Sequence, residues 1–319
     1  MLGIKNLLAA KIEKNNRFFT LYEDIEKELK FYSKECFKNK VVYCNCDTDH
    51  SNFYKYFVNH FERLELKKLI ITGIADDWDY FMGVKDGKAY KIEYYGKEKG
   101  AVKTEIKSGS EKFVAGDFRS KECVEFLAAC DIVITNPPFS RIAEFFSLLV
   151  KYDKKFLVLA PITFLIRENF FALFKNNQCW FGATRETLEF EIPSYGKVYS
   201  KKNTRKDPNQ KRVELSNCRW LTNLEMVCKP KFLDLNNNYY SPKKYLRYKE
   251  VNAINVDKTS EIPCDYSGFI GVPITFMDKY CPEQFEIIGL LKGKAKIEKG
   301  GKVQKKFSRI IIKNKFPKS

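Results

Sequence analysis

Residues 129–142 read ACDIVITNPPFSRI. Ile132, Val133, Ile134 and Thr135 are β-branched and predict a buried strand, and Asn136-Pro137-Pro138-Phe139 stops it. Proline has no N–H, fixes its own φ and confines the residue before it to extended geometry. Asn136 and Pro137 are therefore stiff, and the Asn136 side-chain oxygen and the Pro137 backbone oxygen become two acceptors set one amino group apart. Such a pair suits an exocyclic amine like N6 of adenine, which has two N–H bonds to give. Its lone pair is normally delocalised into the ring, and holding both hydrogens favours the pyramidal form that attacks a methyl donor. No strong base is needed beforehand, so the lack of a nearby histidine is no obstacle. Phe139 supplies a ring to stack on a base rotated out of its helix. The bland reading is a double proline that only ends a strand. The context favours chemistry: an acid and an apolar strand precede the motif and an aromatic follows it.

The surrounding elements predict where such a site lies. Phe18, Tyr22, Ile25, Leu29 and Tyr32 recur at helical spacing over residues 17–37, with Thr20 as a cap and Glu23 as its capping-box partner. "VVYCN" at 41–45 reads as a strand, the stretch with Phe53, Tyr56, Phe57 and His60 on one face as a helix, and "KKLIITGI" at 67–74 as a second strand. Residues 83–112 alternate around glycines and predict a hairpin inserted at the sheet edge. "KFVAGDF" reads as the third strand, "CVEFLAAC" as a helix, "DIVITNPPF" as the fourth strand, "RIAEFFSLLVKY" as a helix and "KFLVLAPITFL" as the fifth strand. This alternation predicts an α/β fold with a largely parallel sheet, whose ligands bind at the carboxyl ends of the strands. It fades after about residue 175, which predicts a catalytic domain over 1–175 and a basic region over 176–319.

The net charge of +17 points to a polyanionic partner, nucleic acid before an anionic membrane. The run 197–212, with Lys201, Lys202, Arg205, Lys211 and Arg212, predicts a mobile loop that contacts phosphates. Neutralising six or so phosphates implies a log–log salt slope of roughly −5. Arg205, Asn209 and Gln210 are candidates for reading bases, against the alternative of a plain solvated loop. Gly300-Gly301 between basic alternating segments predicts a hairpin whose Lys302, Lys305 and Lys306 clamp the backbone. The longest apolar stretch, Phe156 to Ile166, holds a proline and is too short for a bilayer span. The 10 cysteines lack C-x-x-C pairs and there are 2 histidines, so free thiols in a reducing cytoplasm are expected and no metal. The loop Cys44 to His50 matches none of the usual zinc spacings.

The chain resembles the EcoRI-type adenine-specific DNA methyltransferases. "DIVITNPPFS" at 131–140 carries the wider superfamily signature, and "RFFTLYEDIEKEL" at 17–29, "VVYCNCDTDHSNFYKYF" at 41–57 and "GVPITFMDKYCPEQFEIIG" at 271–289 narrow it to this family. The resemblance implies a Rossmann-like S-adenosylmethionine-dependent sheet with a C-terminal target-recognition region. It implies that Phe19 and Thr20 close over the methionine part of the cofactor. The loop holding Cys44, Asn45, Asp47, Ser51 and Asn52 would receive its amino-acid end. Asp117 would accept the hydrogens of its adenine amine, and Phe118 would pack on that ring. Asn136, Pro137, Pro138 and Phe139 would hold the target base, with Asn136 also beside the cofactor. The glycine-rich turn common in the superfamily is replaced by Cys44-Asn45-Cys46-Asp47, and the ribose-binding acid falls to Asp76 or Asp77, with solvated loop acids as the alternative. The implied partner is double-stranded DNA, with no membrane, for a monomeric protein; the methylation is either orphan or paired with a cognate restriction endonuclease that acts on the same site without needing to touch this chain. A glutamine-amide methyltransferase, an RNA adenine methyltransferase and a catalytically inactive DNA-binding protein are the rivals. No role beyond packing between the two halves is read for 271–280.

Overall fold

The computed structural model describes residues 18–75, 79, 87–107, 113–191, 204–206, 211–228, 230–240, 245–293, 295–299 and 302–318. Contacts divide the chain into one unit of residues 1–161 and 182–227 and another of 162–181 and 228–319. The division does not fall at residue 175. Residues 162–181 leave the first unit, and 182–227 return to it.

The first unit is built on the strands β2 (Val41–Asn45), β3 (Lys68–Thr72), β4 (Ala89–Tyr94), β5 (Ala101–Ile106), β6 (Ile132–Thr135), β7 (Lys155–Pro161) and β12 (Cys218–Thr222). Their order across the sheet is β5-β4-β3-β2-β6-β7-β12. β3, β2, β6 and β7 run parallel, with Val42 opposite Leu69 and Ile132, and Val133 opposite Phe156. β4 and β5 form the expected antiparallel hairpin on the β3 edge, and β12 flanks β7 antiparallel on the other side. The parallel strands are apolar runs because both faces of the sheet are covered. On one face α1 (Tyr22–Leu29) and α2 (Asn52–Asn59) bury Ile25, Leu29, Phe53 and Phe57 against Val42, Ile71, Leu157 and Trp220. On the other, α3 (Lys121–Ala129) sets Phe126 edge-on to Tyr43, with ring centroids 6.4 Å apart, and α4 (Ile142–Lys151) sets Phe146 5.3 Å from Phe156.

Two local expectations are corrected. Residues 113–118 of "KFVAGDF" form no strand but an irregular turn in which Gly116 takes φ +75°. β6 is thus the third parallel strand in chain order, not the fourth. The stretch 17–37 is not one helix, and Thr20 is not its cap. Thr20 lies in a short strand β1 (Phe19–Thr20), Leu21 occupies the N-cap position and α1 ends at Leu29. Strand pairing overrides the local capping preference here, since β1 finds an antiparallel partner far along the chain in β9 (Leu188–Glu191).

That pairing starts a second sheet in the same unit, ordered β1-β9-β11-β10, with β10 (Thr204–Lys206) antiparallel to β11 (Lys211–Leu215). The basic run expected to be a mobile loop is therefore in part a hairpin. Lys201, Lys202, Asn209 and Gln210 lie outside the described residues, as do Asp76 and Asp77.

The second unit holds α5 (Glu168–Lys175), the short β8 (Trp180–Phe181) and a sheet ordered β13-β14-β18-β15, from β13 (Ala253–Asn255), β14 (Phe269–Pro273), β15 (Phe285–Leu291) and β18 (Arg309–Asn314). β16 (Ala295–Lys299) and β17 (Lys302–Lys306) form the hairpin expected around Gly300-Gly301. The segment 271–280 packs within this unit: Phe276 is fully buried and meets Phe285 edge-on at 5.3 Å. Among the described residues no helix is long and apolar enough to cross a membrane, and no group of His, Cys, Asp and Glu is arranged to hold a metal ion.

Candidate active site

In the parallel part of the sheet the chain leaves β2 toward β3 on one side and reaches β6 and β7 on the other. The order reverses between β2 and β6, so the loops after these two strands diverge and leave a crevice at their carboxyl ends. A cavity of about 350 Å³ opens there. Its lining includes Phe18, Phe19 and Thr20; Cys46, Asp47, His50, Ser51, Asn52 and Lys55; Ile74; Val114, Asp117, Phe118 and Arg119; Asn136, Pro137, Pro138 and Arg141; and Glu191. All belong to the first unit.

The loop after β2 is held by its own backbone. The N–H groups of Cys46 and Asp47 both donate to the Thr72 carbonyl, at 2.7 and 3.0 Å. Cys46 takes φ +80°, where glycine is normally found. The turn is thus of the glycine type although no glycine is present. Asp47 is fixed by the Thr135 hydroxyl, 2.9 Å from its Oδ2, which ties the loop after β2 to the last residue of β6. Ser51 caps α2 by accepting from the Tyr54 N–H at 3.1 Å.

β1 is clasped at both ends by amide side chains of these loops. Asn52 Nδ2 donates to the Thr20 carbonyl at 2.9 Å, and Asn136 Nδ2 donates to the Phe18 carbonyl at 2.6 Å. The second bond decides the chemistry of Asn136. A carboxamide offers one nitrogen donor group and one oxygen acceptor. With the nitrogen committed to Phe18, the oxygen is the end left for a ligand. The Thr20 hydroxyl, in a residue 4% exposed, has no partner among the described residues, although a buried polar group is normally paired.

Across the cavity the turn carrying Asp117 stacks on the loop after β3. A Cβ on Gly116 would lie 1.9 Å from the Gly73 carbonyl oxygen, and one on Gly73 would lie 2.6 Å from that of Asp47. Only glycine permits three backbone segments this close. Asp117 Oδ1 accepts the Arg119 N–H and Nε, both at 2.9 Å, and Oδ2 accepts Nη2 at 2.7 Å. Oδ2 keeps a lone pair for a further donor. Arg119 Nη1 reaches Glu144 of α4 at 2.8 Å, and the other Glu144 oxygen accepts Arg141 Nη1 at 3.0 Å. Burial alone would raise the Glu144 carboxyl, but the hydrogen bonds from Arg119 and Arg141 prevail and hold it below the usual range. An unbroken chain of charges therefore joins Asp117 to the loop that follows Pro138.

Of the residues expected at the site, Phe19, Thr20, Asp47, Ser51, Asn52, Asp117, Phe118, Asn136, Pro137 and Pro138 meet at this cavity. Three do not. The Cys44 side chain is fully buried in the core beneath β2, where burial pushes its thiol well above the ordinary range. Asn45 is likewise buried, and its carbonyl accepts the Thr135 hydroxyl. Phe139 begins a tight turn over Phe139–Arg141 and packs against the core instead of lining the cavity. Of the basic candidates, Arg205 and Lys211 lie on paired strands, and Arg212 stands 3.6 Å from Glu189 and opposite Glu191. Arg119 and Arg141, each two residues beyond an expected site residue, were findable by proximity to the motifs. Glu191 carries no signal of its own.

A switch point of a parallel sheet at an Asn-Pro-Pro-Phe loop, with a cavity joining that loop to acidic and aromatic groups, defines an amino-group methyltransferase. The family model described as adenine-specific methyltransferase EcoRI matches residues 6–316, and the chain belongs to that family. It is 41% identical over 317 residues to the Type II methyltransferase M.EcoRI of Escherichia coli, covering 98% of this chain and 97% of that one. It is 36% identical over 287 residues to M.MgeORF184P of Mycoplasma genitalium and to M.MpnI of Mycoplasma pneumoniae, covering 88% of this chain and 85% and 84% of those. No solved structure matches the chain. Its activity is the methylation of adenine in DNA, which displaces the protein-amide and RNA readings.

Proposed function

We propose that this cavity binds S-adenosylmethionine beside an adenine turned out of a short, specific duplex site, and that N6 of that adenine is methylated. The residues fit such a cofactor. The Asp117 lone pair and the Phe118 and Ile74 walls suit its adenine. Asp47 suits an ammonium group and the capped start of α2 a carboxylate, and the unpartnered Thr20 hydroxyl lies on the strand between. When bound, the cofactor supplies a methyl group activated by a positively charged sulfur.

The chain's own part is to hold the amine. Asn136 Oδ1 and the Pro137 carbonyl accept its two hydrogens, drawing the nitrogen lone pair out of conjugation and toward the cavity. The proton lost afterwards passes to water, since neither acceptor is a base at neutral pH. Phe139, packed against the core, braces this loop instead of stacking on the base. The basic residues Lys201, Lys202, Arg205, Lys211 and Arg212 neutralise backbone phosphates, and of these Arg205, Lys211 and Arg212 lie on strands of the sheet that carries β1 to the cavity wall. Target recognition belongs to the basic region beyond residue 175.

The observation that carries this reading is the 2.6 Å bond from Asn136 Nδ2 to Phe18, because it presents the amide oxygen to a donor. Asn136→Ala is expected to lower the methylation rate by roughly 10²-fold or more, as loss of a preorganised polar contact does. Binding of S-adenosylhomocysteine, measured by calorimetry, should stay within a few-fold of wild type. Methylation at the wild-type rate would overturn the assignment.

A further inference from the structure

We infer that the open face of the β16–β17 hairpin is a DNA-contacting ribbon, with Lys296 and Lys305 against phosphates and Phe307 against a base. The inference rests on the DNA reading above and adds a surface to it. The hairpin has two unlike faces. Ala295 and Ile297 are buried with Tyr248 and Ile311, and the Lys249 N–H donates to the Lys296 carbonyl at 3.0 Å, so β16 is fastened to the body of its unit. On the other face Lys296 stands directly opposite Lys305, and Glu298 directly opposite Val303.

Like charges set directly opposite on a sheet repel. Neighbouring cations are neutralised: Lys306 and Arg309 both meet Asp257, at 2.8 and 3.1 Å, and Lys249 takes Glu298 at 2.9 Å. Among the described residues no carboxylate pairs with the ammonium of Lys296 or Lys305; Glu250 accepts only the Lys296 backbone N–H, at 3.1 Å. The same face carries Val303 at 50% exposure and, at the next alternate position past the strand, Phe307 at 90%. A ring so exposed gains nothing from water, and the two lysines exclude this face from a core. A surface of paired positive charge beside a flat apolar ring matches a polyanion with flat apolar groups between its charges. A two-stranded ribbon is also narrow enough for the major groove. A second copy of the chain is the poorer occupant, because a two-fold contact would set the lysine pair against itself. An anionic membrane is poorer too, since one ring and one valine make little apolar face.

The test uses the full chain and a fluorescein-labelled duplex of mixed sequence, titrated across a potassium chloride series. The double variant Lys296→Gln/Lys305→Gln should reduce the magnitude of the log–log salt slope by about 2, at roughly 0.9 per phosphate contact. Phe307→Ala should weaken binding several-fold with an unchanged slope, as loss of one apolar contact to a base edge in the major groove does. S-adenosylhomocysteine binding, unchanged in both, shows that the fold is intact. If the wild type binds duplex DNA and both variants match it in affinity and slope, the ribbon inference fails alone. If the wild type binds no duplex, the DNA reading fails with it. Binding to phosphatidylserine vesicles that Phe307→Ala abolishes, or a dimer that it dissociates, would also overturn the assignment.

Discussion

Glu28 gives the sharpest test of how the cavity wall is held. Its side chain is completely buried on α1 and accepts four hydrogen bonds. Oε1 takes the Tyr32 hydroxyl at 2.8 Å and the Ala183 N–H at 2.7 Å; Oε2 takes the Thr184 N–H at 2.8 Å and its hydroxyl at 2.6 Å. Burial, then the adjacent Glu28 charge, pushes the Tyr32 hydroxyl well above its usual range, so it stays a donor. Glu28→Gln keeps the shape but turns one acceptor into a donor. Either way the amide faces, one backbone N–H, of Ala183 or Thr184, loses its acceptor, while the hydroxyl beside it can turn to accept from the new amide. At about 1–3 kcal/mol for an unsatisfied buried donor, the loss is about 1–3 kcal/mol. That is a large part of the 5–15 kcal/mol or so that holds a typical protein folded. Urea unfolding followed by tryptophan fluorescence reads it, and Trp220 is close by: its Cβ would lie 2.6 Å from a Cβ on Gly182. The 183–184 segment leads into β9, which pairs with Phe19–Thr20. Binding of S-adenosylhomocysteine should therefore weaken along with stability. A loss below about 1 kcal/mol would refute the reasoning, because it would mean that these donors are satisfied equally well by water.

Two further substitutions test the site and its surroundings. Gly116→Ala should cost about 1–2 kcal/mol for the left-handed backbone alone. The clash with the Gly73 carbonyl should also displace Asp117 and raise the KM for the methyl donor more than it lowers kcat, which initial-rate kinetics would show. Asp24, part-buried on α1, has its carboxyl raised from 3.8 to about 6, first by burial and then by the nearby Glu189 charge, against a lowering hydrogen bond from the Glu189 backbone. Because the folded value is the higher one, its stabilisation is complete below 3.8 and lost as pH rises through about 6. Asp24→Asn should accordingly raise Tm above pH 6 and lose that advantage as pH falls, and an equal Tm gain at both ends of the range would contradict it.

The sequence by itself determined what depends on neighbours along the chain. The apolar runs at 41–45, 68–72, 132–135 and 155–161 are strands because a sheet covered on both faces needs continuous hydrophobic residues. Asn136-Pro137-Pro138 ends β6 because proline can neither donate to the ladder nor continue it. The same local rules misread residues 113–118, where apolar residues serve a turn that packs over glycine, and Thr20, whose capping preference lost to a strand partner at Phe190. Only tertiary structure decided the order β3-β2-β6-β7, and hence the switch point where the loops after β2 and β6 face one cavity. It also sent the side chains of Cys44 and Asn45 into the interior while Cys46 and Asp47 turned toward the cavity, because a single residue with positive φ redirects the chain. Glu28, Arg119 and Glu191 acquire their roles from partners 155, 25 and 172 positions away in the sequence, Ala183, Glu144 and Phe19, and such pairings follow from register and topology, not from any pattern near the residue itself.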